Sequence, residues 1–589
     1  MFQAIQSWFQ LWSDKRYFSR LAILLSITAI VNYSIKHEYW EKDKIVQDDV
    51  VLYYGYLPSI FIHNDLTLNY TDNGTVDLSR SRIWHNETED GGRYFKMPIG
   101  ESIMLSPFFL MAHGISKIMG LEANGYNWVY YLFIAIAAWF YAFLALIALS
   151  KSLRILGVND LVIGLTLISL FLGTNLFYYA SLEVGMSHVY GFFLFSVGLW
   201  LTLRWHEHPS LRNTFGLGLA LGLMLILRPT NIFFALFPIF YGIGHKETFR
   251  EKIQLFQKEK LKLLIAVIVA GLVIFIQLLA WKIGTGKWVV YSYGEERFFF
   301  DRPRIWKGLF SYRKGWLLYC PILLLAIPGF VIVWRKNRSF LISSLLVILP
   351  TIYVIFSWWC WWYGGGFGMR SLIEITVLLA LPMALTIEWL LKKYTFWIPL
   401  LTIYYFVGLN YHFSERYTLG QVHPDAMSKE MYWWMVSKED IDGRFWELLD
   451  RPSAYSAFIG NDESQTYQRS LFASKTKEFH GGPAQILYSI PKQSFFKQSF
   501  ETEIRLSASY SRENSENKKA MLRIVMHNSK DRRIFTDHWE DLEIKEGKLN
   551  IELSIPFVHD ERAQLDLELH AVEGQEIKFR NLNMKQIVW

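Results

Sequence analysis

Two neighbouring carboxylates, Asp48 and Asp49, are the residues of this chain best placed to do acid–base chemistry. They stand in Gln47-Asp48-Asp49-Val50-Val51-Leu52-Tyr53-Tyr54-Gly55-Tyr56-Leu57-Pro58, which follows the first apolar segment and opens a long polar loop. At helical spacing Val50, Tyr53, Tyr54, Leu57 and Phe61 form a broad apolar and aromatic side. The two acids fall at the helix start, where the macrodipole favours negative charge. Successive helical residues point about 100° apart, so the pair cannot address one reacting atom without a metal or a distorted backbone. One acid is therefore expected to act as a general base: Asp49 by its spacing to Tyr53, with Asp48 second. The plainer alternative is that one of them only caps the helix.

Other stretches carry cations and aromatics. They are Arg93-Tyr94-Phe95-Lys96-Met97-Pro98-Ile99-Gly100, the segment from Gly308 to Gly315 with Arg313 and Lys314, and Trp361-Trp362-Tyr363-Gly364-Gly365-Gly366-Phe367-Gly368-Met369-Arg370. Glu183-Val184-Gly185-Met186-Ser187-His188 opens an apolar segment from the same side. Fixed cations stabilise negative charge that grows on a leaving group, which makes Lys96, Arg370, Arg313 and Lys314 candidates for binding a phosphate. Tyr53, Tyr94, His188, Glu183 and Trp362 are candidates for the walls of a substrate cavity. Each has a structural alternative. Lys96 and Arg93 could snorkel to a membrane interface, His188 could be a hydrogen-bonded structural histidine, and Trp358, Trp359, Trp361 and Trp362 could form an interfacial belt. Arg228, in Leu227-Arg228-Pro229-Thr230-Asn231, interrupts an apolar stretch where a charge costs about 2.5 to 3.5 kcal/mol to insert, and is expected to hold an outer turn between two spans. No Cys/His cluster has metal-ligand spacing, and with these cations no metal or other cofactor is required, a divalent metal staying open without being expected; no Walker-type glycine loop is present, which argues against ATP-driven transport. For Cys320 and Cys360 a bridge and two buried thiols both remain open.

The elements that must hold these residues lie in a membrane. Of 589 residues 52% are hydrophobic and 17% aromatic, with 24 Trp, a composition too apolar for an ordinary soluble enzyme. A mean hydropathy of only +0.17 requires a sizeable polar part as well. The apolar run at 21–35 follows Lys15, Arg16 and Arg20 and lacks a small-residue cleavage site, so it reads as an uncleaved first span with a cytoplasmic amino terminus. Further spans of roughly 20 residues are expected at 127–149, 160–180, 188–204, 213–228, 230–244, 261–281, 316–334, 339–357, 371–390 and 395–411. The Lys/Arg clusters between them fall on one side if the stretch 101–118 lies along the outer membrane face. That gives about 11 spans with the carboxyl terminus outside. The outer loop 282–315 breaks the charge rule with Lys282, Lys287, Arg297, Arg302, Arg304, Lys307, Arg313 and Lys314, which suit either anionic lipid headgroups or an anionic substrate. From about 460 the period changes to alternation: Ile504, Leu506, Ala508 and Tyr510 face one way and Glu503 and Arg505 the other. Leu549, Ile551 and Leu553 repeat the pattern, as do Leu565, Leu567 and Leu569, the signature of a β-sandwich. The expected domains are a transmembrane catalytic part at 1–411 that includes the outer loop 36–126, a partly helical connector at 412–460, and a β-sandwich at 461–589.

In layout 1–411 resembles the GT-C superfamily of membrane glycosyltransferases, with protein O-mannosyltransferases and the lipid A aminoarabinose transferase as the nearest analogues. In those relatives an acidic pair opens a juxtamembrane helix after the first span with a Tyr shortly behind, which Asp48-Asp49 and Tyr53 are similar to. A Lys-Pro-Pro-Leu type stretch leads a second helix along the membrane, and Lys96-Met97-Pro98-Ile99 is similar. This chain departs in having Asp as its second acid and Phe95 before Lys96, forms that look more like an uncharacterised bacterial branch. The resemblance implies a GT-C-like helical membrane fold and an inverting glycosyltransferase. Its partners would be a polyprenyl-phosphate or pyrophosphate sugar donor, a hydroxyl acceptor on protein, lipid or glycan, and membrane lipids, with no nucleic acid. It implies the bacterial cytoplasmic membrane as location, with the sandwich in the periplasm. The reading of a different class is a transporter or flippase of a lipid-linked saccharide, but no internal repeat supports it. A glycan-binding scaffold would not need so many spans.

Overall fold

The computed structural model describes residues 16–42, 44–73, 84–294, 296–424 and 427–437, and from 467 to 588 eight strands with parts of their connections. The chain divides into two compact units, Met1–Gly443 and Arg444–Trp589. Among the described residues four helices are long and apolar enough to cross a membrane: Tyr17–His37, Trp128–Ile155, Lys260–Thr285 and Arg338–Ser357. Shorter apolar helices follow at Asp160–Leu172, Leu211–Leu227 and Pro229–Phe240. This is a membrane protein. Along Lys260–Thr285 the side chains of Leu264, Val267, Ile268, Leu272 and Phe275 stay exposed, as a surface facing hydrocarbon requires.

Other expected spans coincide with the helices His188–Glu207, Thr376–Lys393 and Trp397–Thr418. Three expected as continuous are broken, the first of them, 160–180, into the helices Asp160–Leu172 and Leu176–Ser181. The stretch 230–244 is a 3-10 turn, Pro229–Ala235, followed by the short helix Leu236–Phe240, and 316–334 consists of Trp316–Tyr319, a 3-10 turn at Pro321–Leu325 and the helix Ala326–Lys336. A proline opens each 3-10 turn, where its missing N–H leaves no bond unmade. Apolar composition does not register such breaks.

A buried acid fastens the first helix to the bundle. Asp160, fully buried, accepts from Ser19 Oγ at 2.6 Å, from the backbone N–H groups of Phe18 and Ser19 at 2.9 and 3.2 Å, and from Arg154 Nη2 at 2.7 Å. The segments that carry the candidate residues pack on the opposite end of the neighbouring helices. The acidic stretch forms two short helices, Asp49–Tyr54 and Tyr56–Phe61, and is buried on nearly every side. Val51 and Leu52 are as enclosed as Tyr53 and Tyr54, whereas Phe61 is exposed, so the expected single apolar side is too narrow a description. Arg93–Tyr94, here β2, pairs antiparallel with Asn86–Glu87, β1, and leads into Lys96. The helix Gly100–Ile118 then starts so close to the end of Leu211–Leu227 that a Cβ on Gly100 would stand 2.5 Å from the Ile226 carbonyl oxygen.

The second unit holds two four-stranded antiparallel sheets. One orders Tyr467–His480 (β3), Glu576–Val588 (β10), Thr502–Glu513 (β5) and Glu546–Ile555 (β8) as β3-β10-β5-β8. The other orders Gln485–Pro491 (β4), Ala563–Ala571 (β9), Ala520–Asn528 (β6) and Ile534–Asp541 (β7) as β4-β9-β6-β7. Ile504, Leu506, Ala508, Tyr510, Leu549, Ile551, Leu565, Leu567 and Leu569 meet in one core. On β9 the alternate residues are buried too: Asp566 accepts from Ser489 Oγ at 2.5 Å and pairs with His527 Nε2 at 2.7 Å, and Glu568 receives Arg523 Nη1 at 3.2 Å. The part of the connector beyond 437 lies outside the described residues.

Replacing Asp160 with Ala should cost about 3 kcal/mol, because Arg154 loses its partner and buried donors are left unmade. Thermal unfolding in detergent would read this as a lowered midpoint; an unchanged midpoint would show that the first helix is held by apolar packing alone.

Candidate active site

A cavity of 880 Å³ opens where the acidic helix, the Lys96 segment, the 286–304 loop and the glycine-rich 363–370 segment converge. Asp48, Asp49, Tyr53, Lys96, Glu183, His188 and Arg370 all line it. Asp49 Oδ2 receives Arg370 Nη2 at 2.8 Å, joining residues 321 positions apart. Asp48 has φ 48° and ψ −128°, outside the usual regions for a residue with a Cβ, and its side chain makes no capping hydrogen bond. The strain, about 1–3 kcal/mol, turns successive carboxylates in directions that an undistorted helix would not give. Neither acid therefore acts as a simple helix cap: one is held by a cation across the cavity and the other sits on distorted backbone.

Arg370 is aimed by the glycine-rich segment. Gly364 and Gly366 have φ of 58° and 129°, and Lys314 Nζ donates to the carbonyls of both, at 2.9 Å for Gly364. Tyr179 Oη accepts from the Phe367 N–H at 2.9 Å, and Arg370 Nη2 also reaches the Tyr363 carbonyl at 3.0 Å. Three successive glycines suggest a loose segment; here buried partners pin it. Cys360 Sγ accepts from the Gly364 N–H at 3.1 Å, and both Cys360 and Cys320 are free thiols.

Lys96 forms an ion pair with Glu296, and its ammonium lies 5.2 Å from the centre of the Tyr293 ring. Trp359 Nε1 donates to the other Glu296 oxygen at 3.1 Å. Burial pushes the Tyr293 phenol up to about 12 although Arg228 pulls it down, so it stays protonated as a donor near neutrality. Burial also raises Glu183, opposed by the charges of Arg370 and Lys314. Tyr53 receives a hydrogen bond from Ser187 Oγ at 3.2 Å. A third ion pair lies deeper. Arg228 Nη1 stands 3.1 Å from Glu374 Oε1 and 3.0 Å from His188 Nδ1.

Four expected site residues are placed elsewhere. Lys314, 2% exposed, is a strut beneath the glycine-rich segment; Arg313 stacks on Trp362 with its guanidinium carbon 4.9 Å from the ring centre; and neither these three nor Tyr94 lines the cavity. The reason is that residues near one another in a basic or aromatic stretch point to opposite sides of an irregular segment. Sequence reasoning passed over Glu296, Tyr293 and Glu374, and gave Arg228 only a turn-holding role. A usable signal existed: Arg228 and Glu374 each interrupt an apolar run, and two such opposite charges are cheapest when they pair.

No family model matches the chain, and comparison with curated proteins finds no match. Among solved structures, the oligosaccharyltransferase of Archaeoglobus fulgidus tethered to an acceptor peptide aligns with 14% identity and a TM-score of 0.38, covering 73% of this chain and 55% of that one. The same enzyme in its apo form gives 13% identity and a TM-score of 0.38, covering 76% and 59%. This chain thus spans little more than half the length of the structures it aligns with.

A Cβ on Gly366 would stand 2.8 Å from Tyr179 Oη on a backbone with positive φ. Gly366→Ala should therefore destabilise the segment by about 1–3 kcal/mol and displace Arg370. Faster proteolysis or hydrogen exchange at 363–370 would report it; exchange unchanged from the parent would contradict the pinning.

Proposed function

We propose that this protein is an integral-membrane inverting glycosyltransferase that moves a sugar from a polyprenyl-phosphate or pyrophosphate carrier to a hydroxyl acceptor. The observation that carries the reading is the Asp49–Arg370 pair on the wall of a large cavity that also holds Lys96, Tyr53 and Glu183. A carboxylate, several cations and aromatic walls are what a hydroxyl attack on an anomeric carbon with an anionic leaving group requires.

In this mechanism the acceptor hydroxyl oxygen bonds to the anomeric carbon as Asp49 takes its proton, with Asp48 as the second candidate base. The bond from that carbon to the carrier's phosphate oxygen breaks, and its electron pair leaves with the phosphate. One displacement inverts the anomeric centre, unlike the paired-carboxylate retaining route. Arg370 positions Asp49, while Lys96 supplies positive charge to the cavity in which the leaving group departs. Such charges act strongly because the cavity walls are largely apolar and aromatic. The accompanying proposals are a site on the periplasmic face of a bacterial cytoplasmic membrane and a sandwich domain on the same side.

Asp49→Asn should lower the transfer rate by about 10²- to 10⁴-fold, the usual range for losing a positioned base, with Asp49→Glu recovering part of it. The assay is sugar transfer from a polyprenyl-phosphate donor by the purified protein. Full transfer in both Asp49→Asn and Asp48→Asn would remove the base assignment. Lys96→Ala combined with Glu296→Gln, which removes both charges of that pair, should raise the donor KM while leaving the thermal midpoint near the parent's.

A further inference from the structure

Three cations of the cavity are paired with carboxylates and differ in where these stand; a fourth, Lys44, lies 5.2 Å from the centre of the Tyr39 ring. Arg370 is paired with Asp49 and Lys96 with Glu296, and both of these carboxylates line the cavity themselves. An anion arriving at either cation meets a fixed negative charge beside it, and at low dielectric that repulsion is not screened away. Arg228 is arranged differently. Its counter-ion Glu374 is 2% exposed and is not part of the cavity lining, whereas Arg228 is.

The bonds to Arg228 also come from one side. Glu374 Oε1 and His188 Nδ1 both sit on Nη1, at 3.1 and 3.0 Å. Among the described residues Nε and Nη2 have no hydrogen-bond partner, and neither belongs to the buried polar atoms left unsatisfied. These donors therefore remain open toward the cavity. His188 Nδ1 also lies 3.2 Å from Glu374 Oε1, so carboxylate and imidazole form one cluster against the same guanidinium nitrogen. The Tyr363 ring, 6.0 Å from the guanidinium carbon, flanks the group. A guanidinium braced at one nitrogen, with its other donors free, matches the fork geometry by which arginine takes phosphoryl oxygens.

We infer that Arg228, held by Glu374 and His188, is the seat of the carrier phosphate, leaving Arg370 to position Asp49. The identity of the anion as a prenyl phosphate rests on the glycosyl-transfer reading; the anion seat itself rests on the placement of the charges. Glu374 and His188 are positioning residues here, because they act through Arg228.

The test is a titration of the purified full-length protein in detergent with farnesyl phosphate, with farnesol and inorganic phosphate in parallel. Arg228→Gln should weaken farnesyl phosphate by about 10- to 100-fold, as expected for charge-assisted hydrogen bonds, leave farnesol unchanged, and be partly rescued by Arg228→Lys. Because Arg228→Gln alone strands the buried Glu374, the double variant Arg228→Gln with Glu374→Gln removes both charges. It should fold with the parent's thermal midpoint and show the same loss. Parent-like farnesyl phosphate binding in the double variant overturns the assignment, and inorganic phosphate competing as strongly as farnesyl phosphate overturns the lipid carrier as its source. Binding through Arg228 without sugar transfer from any prenyl-linked donor would keep the seat and remove the transferase reading. Transfer indifferent to Arg228 would do the reverse.

Discussion

A charge beside or within a membrane has to be paired, and in this chain the pairing is long-range. Asp49 with Arg370, Lys96 with Glu296 and Arg228 with Glu374 join residues 321, 200 and 146 positions apart. Each partner alone would be an uncompensated charge in poorly hydrated surroundings, at a cost of several kcal/mol. The requirement that each find its opposite draws the acidic helix, the Lys96 segment, the basic loop and the glycine-rich segment to one place. The cavity lies where these pairs converge.

Pairs that fix a structure also limit its chemistry. A carboxylate fully engaged with a guanidinium is a poor proton acceptor, and a lysine locked on a glutamate is a weak anion binder. Here the engagement is partial. The Asp49 side chain keeps 32% of its surface accessible despite the 2.8 Å bond to Arg370, and Asp48 is turned by strained backbone instead of being tied to a cap. Glu374 satisfies Arg228 from outside the cavity lining, so that pair neutralises the buried charge without occupying the space a ligand would use. Which side of a cation its counter-ion occupies matters as much as whether it has one.

The sandwich obeys the same rule in a different setting. On β9 the leucines enter the core, and the alternate Asp566 and Glu568, although buried, are satisfied by Ser489, His527 and Arg523 on neighbouring strands. A period of two assigns residues to faces but does not say whether the second face is wet. Cross-strand partners decide that, through a register built from hydrogen bonds between segments distant in sequence.

Composition and periodicity by themselves determined that the chain lives in a membrane and that its last part is a β-sandwich. Both follow from transfer free energies and repeat lengths that are local properties of the chain. They also marked Asp48, Asp49, Lys96 and Arg370 as unusual, because charges next to apolar segments stand out one by one. Tertiary structure alone decided which of the marked cations reach the cavity: Lys314 and Arg313 turn away to brace the glycine-rich segment and Trp362, while Glu296, Tyr293 and Arg228 turn toward it. The breaks at Pro229 and Pro321 and the pinning of Gly364 and Gly366 were likewise settled in space. The physical reason is common to all of these: a side chain's direction in an irregular segment depends on partners hundreds of positions away, and no local pattern records them.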